Sequence, residues 1–247
     1  MMPGIAKLFD CSELDTGRRV EIPTSMPRLK GFRHPREVIA YAVWAYHRFA
    51  LSTADVEYLL AERGVMVSRE TIRGWVNRFG AHFAACIRRD RPWPNDKWHL
   101  DEVVIPINGM THWLWRAVDA NGDTLDILVQ TRRNAKAAKR FMAKLIAQFG
   151  KPRVVITDKL RSYITPTAHH HKGLNNKTEG SHTPTRRREK IMGRFKSPRQ
   201  AQRFLTAHDQ INNIFRPRRY SITVISYLHA RVDVFCLWTD YAAEMVA

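Results

Sequence analysis

The chain has 247 residues, enough to bury one sizeable core with small appendages. Its 41 Lys and Arg against 23 Asp and Glu leave a formal charge of +18, which attracts polyanions and makes nucleic acid the expected partner over an acidic membrane. No apolar run reaches the ~20 residues that span a bilayer, and Asp10, Glu13 and Asp15 interrupt any secretory leader. Cys11, Cys86 and Cys236 are few and widely spaced, which suggests neither a disulfide framework nor a zinc site and points to a cytoplasmic location.

Residues 1–33 lack sustained periodicity, carry Pro3, Pro23 and Pro27, and end in the basic patch Arg28, Lys30 and Arg33, so a loosely docked leader is expected. Pro35 suits the first turn of a helix over PREVIAYAVWAYHRFAL, which is apolar on all sides and should be buried. The next stretch reads as helix, turn, helix. Thr53 can cap a helix holding Val56, Leu59 and Leu60, and Gly64 breaks it. Ser68 then caps a second helix with Ile72, Trp75, Val76 and Phe79 turned inward. Residues 34–80 therefore fit an all-α helix-turn-helix domain, a pattern that helical hairpins without DNA also share. In that motif the start of the second helix enters the major groove, which turns Arg69, Glu70, Thr71 and Arg73 to DNA, with Arg78 further along. Arg88, Arg89 and Arg91 with Pro92 and Pro94 mark residues 81–96 as a linker.

A second domain is expected over residues 97–219. KWHLDEVVIPI, HWLWRAVDA and DTLDILVQ read as three strands joined by short Asn-Gly turns, the strongest local hairpin signal. NAKAAKRFMAKLIAQF follows as an amphipathic helix with Ala137, Ala138, Phe141, Leu145 and Ile146 at helical spacing and Gly150 as its stop. RVVIT is then a fourth strand, laid by a crossover beside the first. Meander, helix, parallel strand is the order of an α/β ribonuclease-H-like mixed sheet.

Asp101 lies inside the first of these strands, Asp158 ends the fourth, and Glu179 sits where a further helix should begin. Carboxylates gathered at strand ends hold hard divalent cations through oxygen, and two such cations suit phosphoryl transfer. The same residue types also form turns and caps, and Glu102 beside Asp101 shows that acids here need not be catalytic. Ser162 and Tyr163 are available as nucleophiles, but a reaction run by carboxylate-held cations needs neither. Lys159 and Arg161, just past Asp158, are placed for phosphate. His169 to His171 cannot all face one ion and lack a Cys or His partner at zinc spacing, so a surface loop is expected there. Residues 183–219 carry 11 Lys and Arg against Glu189 and Asp209, a local balance of +9. Arg186, Arg187, Arg188, Lys190, Arg194 and Lys196 in that stretch can track a DNA backbone. The remaining tail, 220–247, reads as a helix that docks on the core or on another subunit.

The runs KWHLDEV, LWRAVD, LDILVQ, AAKRF, TDKLRSY, HKGLNN, PTRRRE and RFKSP resemble a bacterial insertion-sequence transposase, and more narrowly insertion-sequence family six of the DDE transposases. The likeness extends from near Lys30 to about Arg219. It implies that Asp101, Asp158 and Glu179 form the acidic triad and hold two Mg2+ ions, for which Mn2+ can substitute. It also implies binding of double-stranded DNA at terminal inverted repeats, cleavage, strand transfer into target DNA and cointegrate products. A homodimer or higher oligomer at the bacterial nucleoid, with no membrane, completes the expectation.

One departure stands out. Only 20 residues lie between Asp158 and Glu179, fewer than the family pattern by about a dozen, the length of a strand with its loop. Gly180 also stands where the family carries Asn. An internal deletion is implied, with a displaced Glu179 and an inactive copy as its expected consequences. Glu189, with 30 residues between it and Asp158, is the rival third ligand, although its RRREK context matches a different family motif. Two alternative functions follow: a helix-turn-helix protein with an inactive nuclease-like domain, and a ribonuclease-H-like nuclease that cuts without joining.

Overall fold

The computed structural model describes residues 28–157, 168–169, 176–216 and 222–246, with only the backbone described at 168–169 and 176–181. In chain order its elements are α1 (Arg36–Arg48), α2 (Thr53–Ala61), α3 (Arg69–Asp90), β1 (Lys97–Ile107), β2 (Met110–Asp119) and β3 (Thr124–Gln130). There follow α4 (Ala135–Phe149), β4 (Val154–Thr157), β5 (Ala168–His169), α5 (Asn176–Ile191), α6 (Pro198–Ile214) and α7 (Val224–Ala243). They divide into two compact units, Met1–Arg89 with Gln210–Ala247, and Asp90–Asp209.

In the first unit α1 is buried as its all-round apolar pattern requires, from Val38 to Val43 and at Ala45, Tyr46 and His47. Helix α2 is capped by Ser52 rather than Thr53. The Ser52 hydroxyl accepts the Asp55 amide at 3.1 Å, and the Asp55 carboxylate accepts the Ser52 amide at 2.7 Å. Gly64 ends this segment at φ 73°, a left-handed conformation that glycine adopts without strain. Helix α3 turns Ile72, Trp75, Val76 and Phe79 inward as expected, but it does not stop there. Phe83, Ala84, Cys86 and Ile87 continue the buried stripe at steps of three and four, so residues 81–90 are helix. The expected linker is thereby corrected to the six residues from Arg91 to Asp96, which contain both prolines.

Thr223 caps α7 by accepting the Ser226 amide at 3.1 Å. Helix α7 docks on the N-terminal helices. Trp238 stacks on Phe83 at 3.8 Å between ring centroids and donates to the Ala40 carbonyl at 3.3 Å. Arg36 donates to the Met245 carbonyl at 2.7 Å, and Arg89 pairs with Glu244 at 2.7 Å. Cys86 is a buried free thiol. No helix among the described residues is long and apolar enough to cross a membrane.

The second unit is built on a five-stranded sheet in the order β3-β2-β1-β4-β5. The meander β1-β2-β3 is antiparallel, and β4 joins β1 in parallel with Leu100 opposite Thr157. Asn108 and Gly109 form the two-residue hairpin turn, at φ 50° and 76°. Side chains alternate along β1, so Trp98 and Leu100 face one side while Asp101 faces the other. On the first side Ala138, Phe141, Met142, Leu145 and Phe149 of α4 close a core over Trp98, Leu100, Trp115, Ala117, Leu125 and Val155. This is the ribonuclease-H-like arrangement expected. Strand β5 corrects one detail: His169 lies in a strand paired with Ile156, not in a loop.

Candidate active site

Asp101 sits on β1, between β2 and β4, and is 8% exposed. Its Oδ1 accepts the Glu102 amide at 2.8 Å, and its Oδ2 lies 3.2 Å from Nε2 of His182 on α5. Asp101 stands opposite Arg116 of β2 in the antiparallel register, which puts both side chains on the same face of the sheet. Arg116 nevertheless turns away from it. Its Nη2 donates to Thr185 Oγ1 at 2.6 Å and to both carboxylate oxygens of Asp209 at 2.9 and 3.2 Å. His182 and Thr185 are three residues apart, the spacing of one helical face, so a single face of α5 reaches both Asp101 and Arg116. A guanidinium only 1% exposed is costly unless paired, and Asp209 compensates it.

This arrangement bears on what Asp101 can hold. Glu102 is paired with Arg133 from the connection between β3 and α4, and Arg116 is neutralised by Asp209. Among the described residues His182 is the only side chain bonded to Asp101. An ionised carboxylate has about four lone-pair sites, so two remain for a cation. Oxygen donors of this kind fit a hard divalent ion. Asp158 follows Thr157 directly in sequence and lies outside the described residues. Glu179 falls within the first turn of α5, three residues before His182, with its side chain outside the described set. Among the described residues no group of three or more acids, histidines or cysteines is gathered for a metal. Glu189, the rival ligand, is buried and pairs with Arg186 at 3.4 Å.

The basic residues sort by helical face. Arg186, Arg187, Lys190, Arg194 and Lys196 are exposed. Arg186, Lys190 and Arg194 line a cavity of about 470 Å³ with Pro106. Arg188 is a correction. It is fully buried with its guanidinium 5.5 Å from the Phe204 ring, out of reach of a phosphate in solvent. Residues 182, 185, 188 and 189 are all buried, so the inward face of α5 takes Arg188 while its neighbours face water. On α3 Arg69, Thr71, Arg73 and Arg78 are exposed, with Arg73 paired to Glu70 at 2.6 Å and Arg78 over Phe32 at 5.4 Å. Lys159 and Arg161 lie outside the described residues. Sequence reasoning missed Arg116 and Asp209. Their signal was an arginine at an inward position of the apolar run LWRAVD, which demands a buried acid.

A DDE-domain family model matches residues 95–218. The transposase for the insertion-sequence-like element IS431mec of Staphylococcus aureus is 32% identical over 205 residues, which covers 78% of this chain and 90% of that protein. The transposase for insertion sequence element IS257 in transposon Tn4003 of Staphylococcus aureus matches to the same extent. Among solved structures, the catalytic domain of Mos1 mariner transposase is 12% identical with a TM-score of 0.36, covering 68% of this chain and 91% of that one. Half the chain thus matches the DDE domain and most of it matches whole transposases, so the chain belongs to insertion-sequence family six of the DDE transposases, which are DNA-transposing polynucleotidyl transferases.

Proposed function

We propose that Asp101, Asp158 and Glu179 carry the transposition chemistry by holding two Mg2+ ions, and that the chain binds the terminal inverted repeats of its element as a dimer or higher oligomer. The observation that supports this most directly is Asp101, buried in mid-sheet with its neighbouring charges compensated elsewhere and two lone-pair sites left over. Dependence on a divalent metal is general to the DDE family. Bound there, the ions supply charge neutralisation and an activated oxygen for in-line displacement. The chain's own groups do the rest. His182 holds the Asp101 carboxylate in one orientation, and the Arg116–Asp209 pair fixes the helix face that carries it. Exposed Arg186, Arg187, Lys190, Arg194 and Lys196 hold the DNA backbone near the site, with Lys159 and Arg161 assigned the same task. Arg69, Thr71 and Arg73 at the start of α3, with Arg78 further along it, meet the terminal repeat.

A second reading has its own support. The 205 aligned positions draw on 78% of 247 residues, about 193, so the staphylococcal relatives carry about a dozen residues that this chain lacks. That matches in size the shortfall expected between Asp158 and Glu179. On this reading the chain is a DNA-binding relic whose third carboxylate is displaced. A strand-transfer assay decides, using a labelled terminal-repeat duplex, Mg2+ and an Asp101→Ala control. Joining that disappears in the variant supports the active triad. Repeat binding with no joining by either protein supports the relic, and cleavage without joining supports a nuclease.

A further inference from the structure

Helices α1 and α7 of the first unit pack together, and with the residues that end α6 they enclose a cavity of about 220 Å³. Its wall is aromatic. Trp44 lies 5.4 Å from Phe235 and 6.0 Å from Phe215 between ring centroids, and Phe215 lies 5.3 Å from Phe235. Two guanidinium groups line the same cavity. Arg48 stands one turn beyond Trp44 on α1, and Arg231 lies between Tyr227 and Phe235 at steps of four on α7. Arg231 sits 5.9 Å over the Tyr227 ring. Arg48 makes no hydrogen bond or salt bridge with any described residue. Burial, then repulsion from Arg216 and, less strongly, Arg231, pushes its guanidinium below the ordinary range, partly offset by Tyr227. Gathering like charges around a half-dry aromatic hollow is unfavourable until an anion arrives.

Size and chemistry together narrow the occupant. The volume falls below the ~300 Å³ at which drug-sized sites begin, so it admits one planar ring rather than a stack. Aromatic faces hold a nucleobase whatever its sequence, and guanidinium forks hold phosphate. We propose that this cavity binds a single unstacked nucleotide, its base against Trp44 and Phe235 and its phosphate on Arg48 and Arg231. The nucleotide comes from a DNA strand, which rests on the reading that the chain binds DNA. The site belongs to the all-helical unit, whereas Asp101 belongs to the sheet unit.

The test uses the full chain and the double variant Arg48→Gln/Arg231→Gln. Tryptophan fluorescence follows titration with deoxyadenosine monophosphate or inorganic phosphate, and anisotropy follows a labelled oligodeoxyadenylate and a terminal-repeat duplex. The expected result is a loss of single-strand affinity of about tenfold or more in the variant, with duplex affinity held. The mononucleotide binds the wild-type chain better than phosphate does, and the variant unfolds at the same or a higher temperature because repulsion is relieved. Unchanged single-strand affinity overturns the proposal, as does an equal loss on the duplex, which makes the two arginines ordinary backbone contacts. Mononucleotide binding that needs both arginines, in a chain that ignores every DNA probe, keeps the cavity, refutes the DNA source and marks failure of the DNA-binding reading.

Discussion

Replacing His182 with Ala removes the one described side chain that bonds to Asp101. Residues that orient a metal ligand typically cost 10–100-fold in affinity or activity when lost, roughly the effect expected here. A magnesium titration of strand transfer checks it, and added metal should restore part of the lost rate. Arg187 and Arg188 make a sharper pair, adjacent in sequence and opposite in environment. Arg187→Gln should lower the slope of log affinity against log salt by about 0.9 and leave stability within roughly 0.5 kcal/mol. Arg188→Gln should leave that slope alone and cost about 1–3 kcal/mol, measured by urea unfolding, because it strips a buried charge from its neighbours. A count of basic residues could not separate the two; only the 100° step between successive helical residues does.

His34 gives a pH dependence with a defined sign. Burial, then Arg33 and Arg28, lower its pKa from 6.5, so the folded chain takes up this proton later than the unfolded chain does. Stability is therefore full above pH 6.5 and falls as pH drops below it through the folded value. His34→Gln should flatten that limb of a thermal-melt profile against pH.

At the scale of elements, helix α4 carries the core of the sheet unit, and Leu145 is wholly buried in it. Leu145→Ala should cost about 2–5 kcal/mol by urea unfolding, through lost transfer energy and the cavity left behind. The strands and this helix were legible in the sequence because alternation, the Asn108-Gly109 turn and the spacing of Phe141 and Leu145 all point the same way. The end of α3 was not. Its RRD cluster reads as solvated linker, while the partner that stacks on buried Phe83 is Trp238 of α7, more than 130 residues later. Within the site Asp101 was readable from its strand, whereas the compensation of Arg116 by Asp209 depends on a contact between positions 93 apart. Pattern within a short window cannot see such a pair.

For the molecule as a whole, the helical unit is assembled from both ends of the chain, with Trp238 on Ala40 and Phe83, and Arg36 on Met245. Residues 90–209, the whole sheet unit, lie between them. During translation the order of events is therefore fixed. The sheet unit can close while the ribosome is still working, but α1 and α3 wait with an uncovered aromatic face until α7 emerges. A nascent chain thus holds its sheet unit before its helical unit is whole, and any use of DNA that needs both begins only after α7 has been made. Ribosome profiling with limited proteolysis would record protection of the sheet unit first and of α3 last. The time between them is the interval in which chaperones and proteases meet the exposed Phe83 face, so the late helix also sets how much enzyme survives its own synthesis.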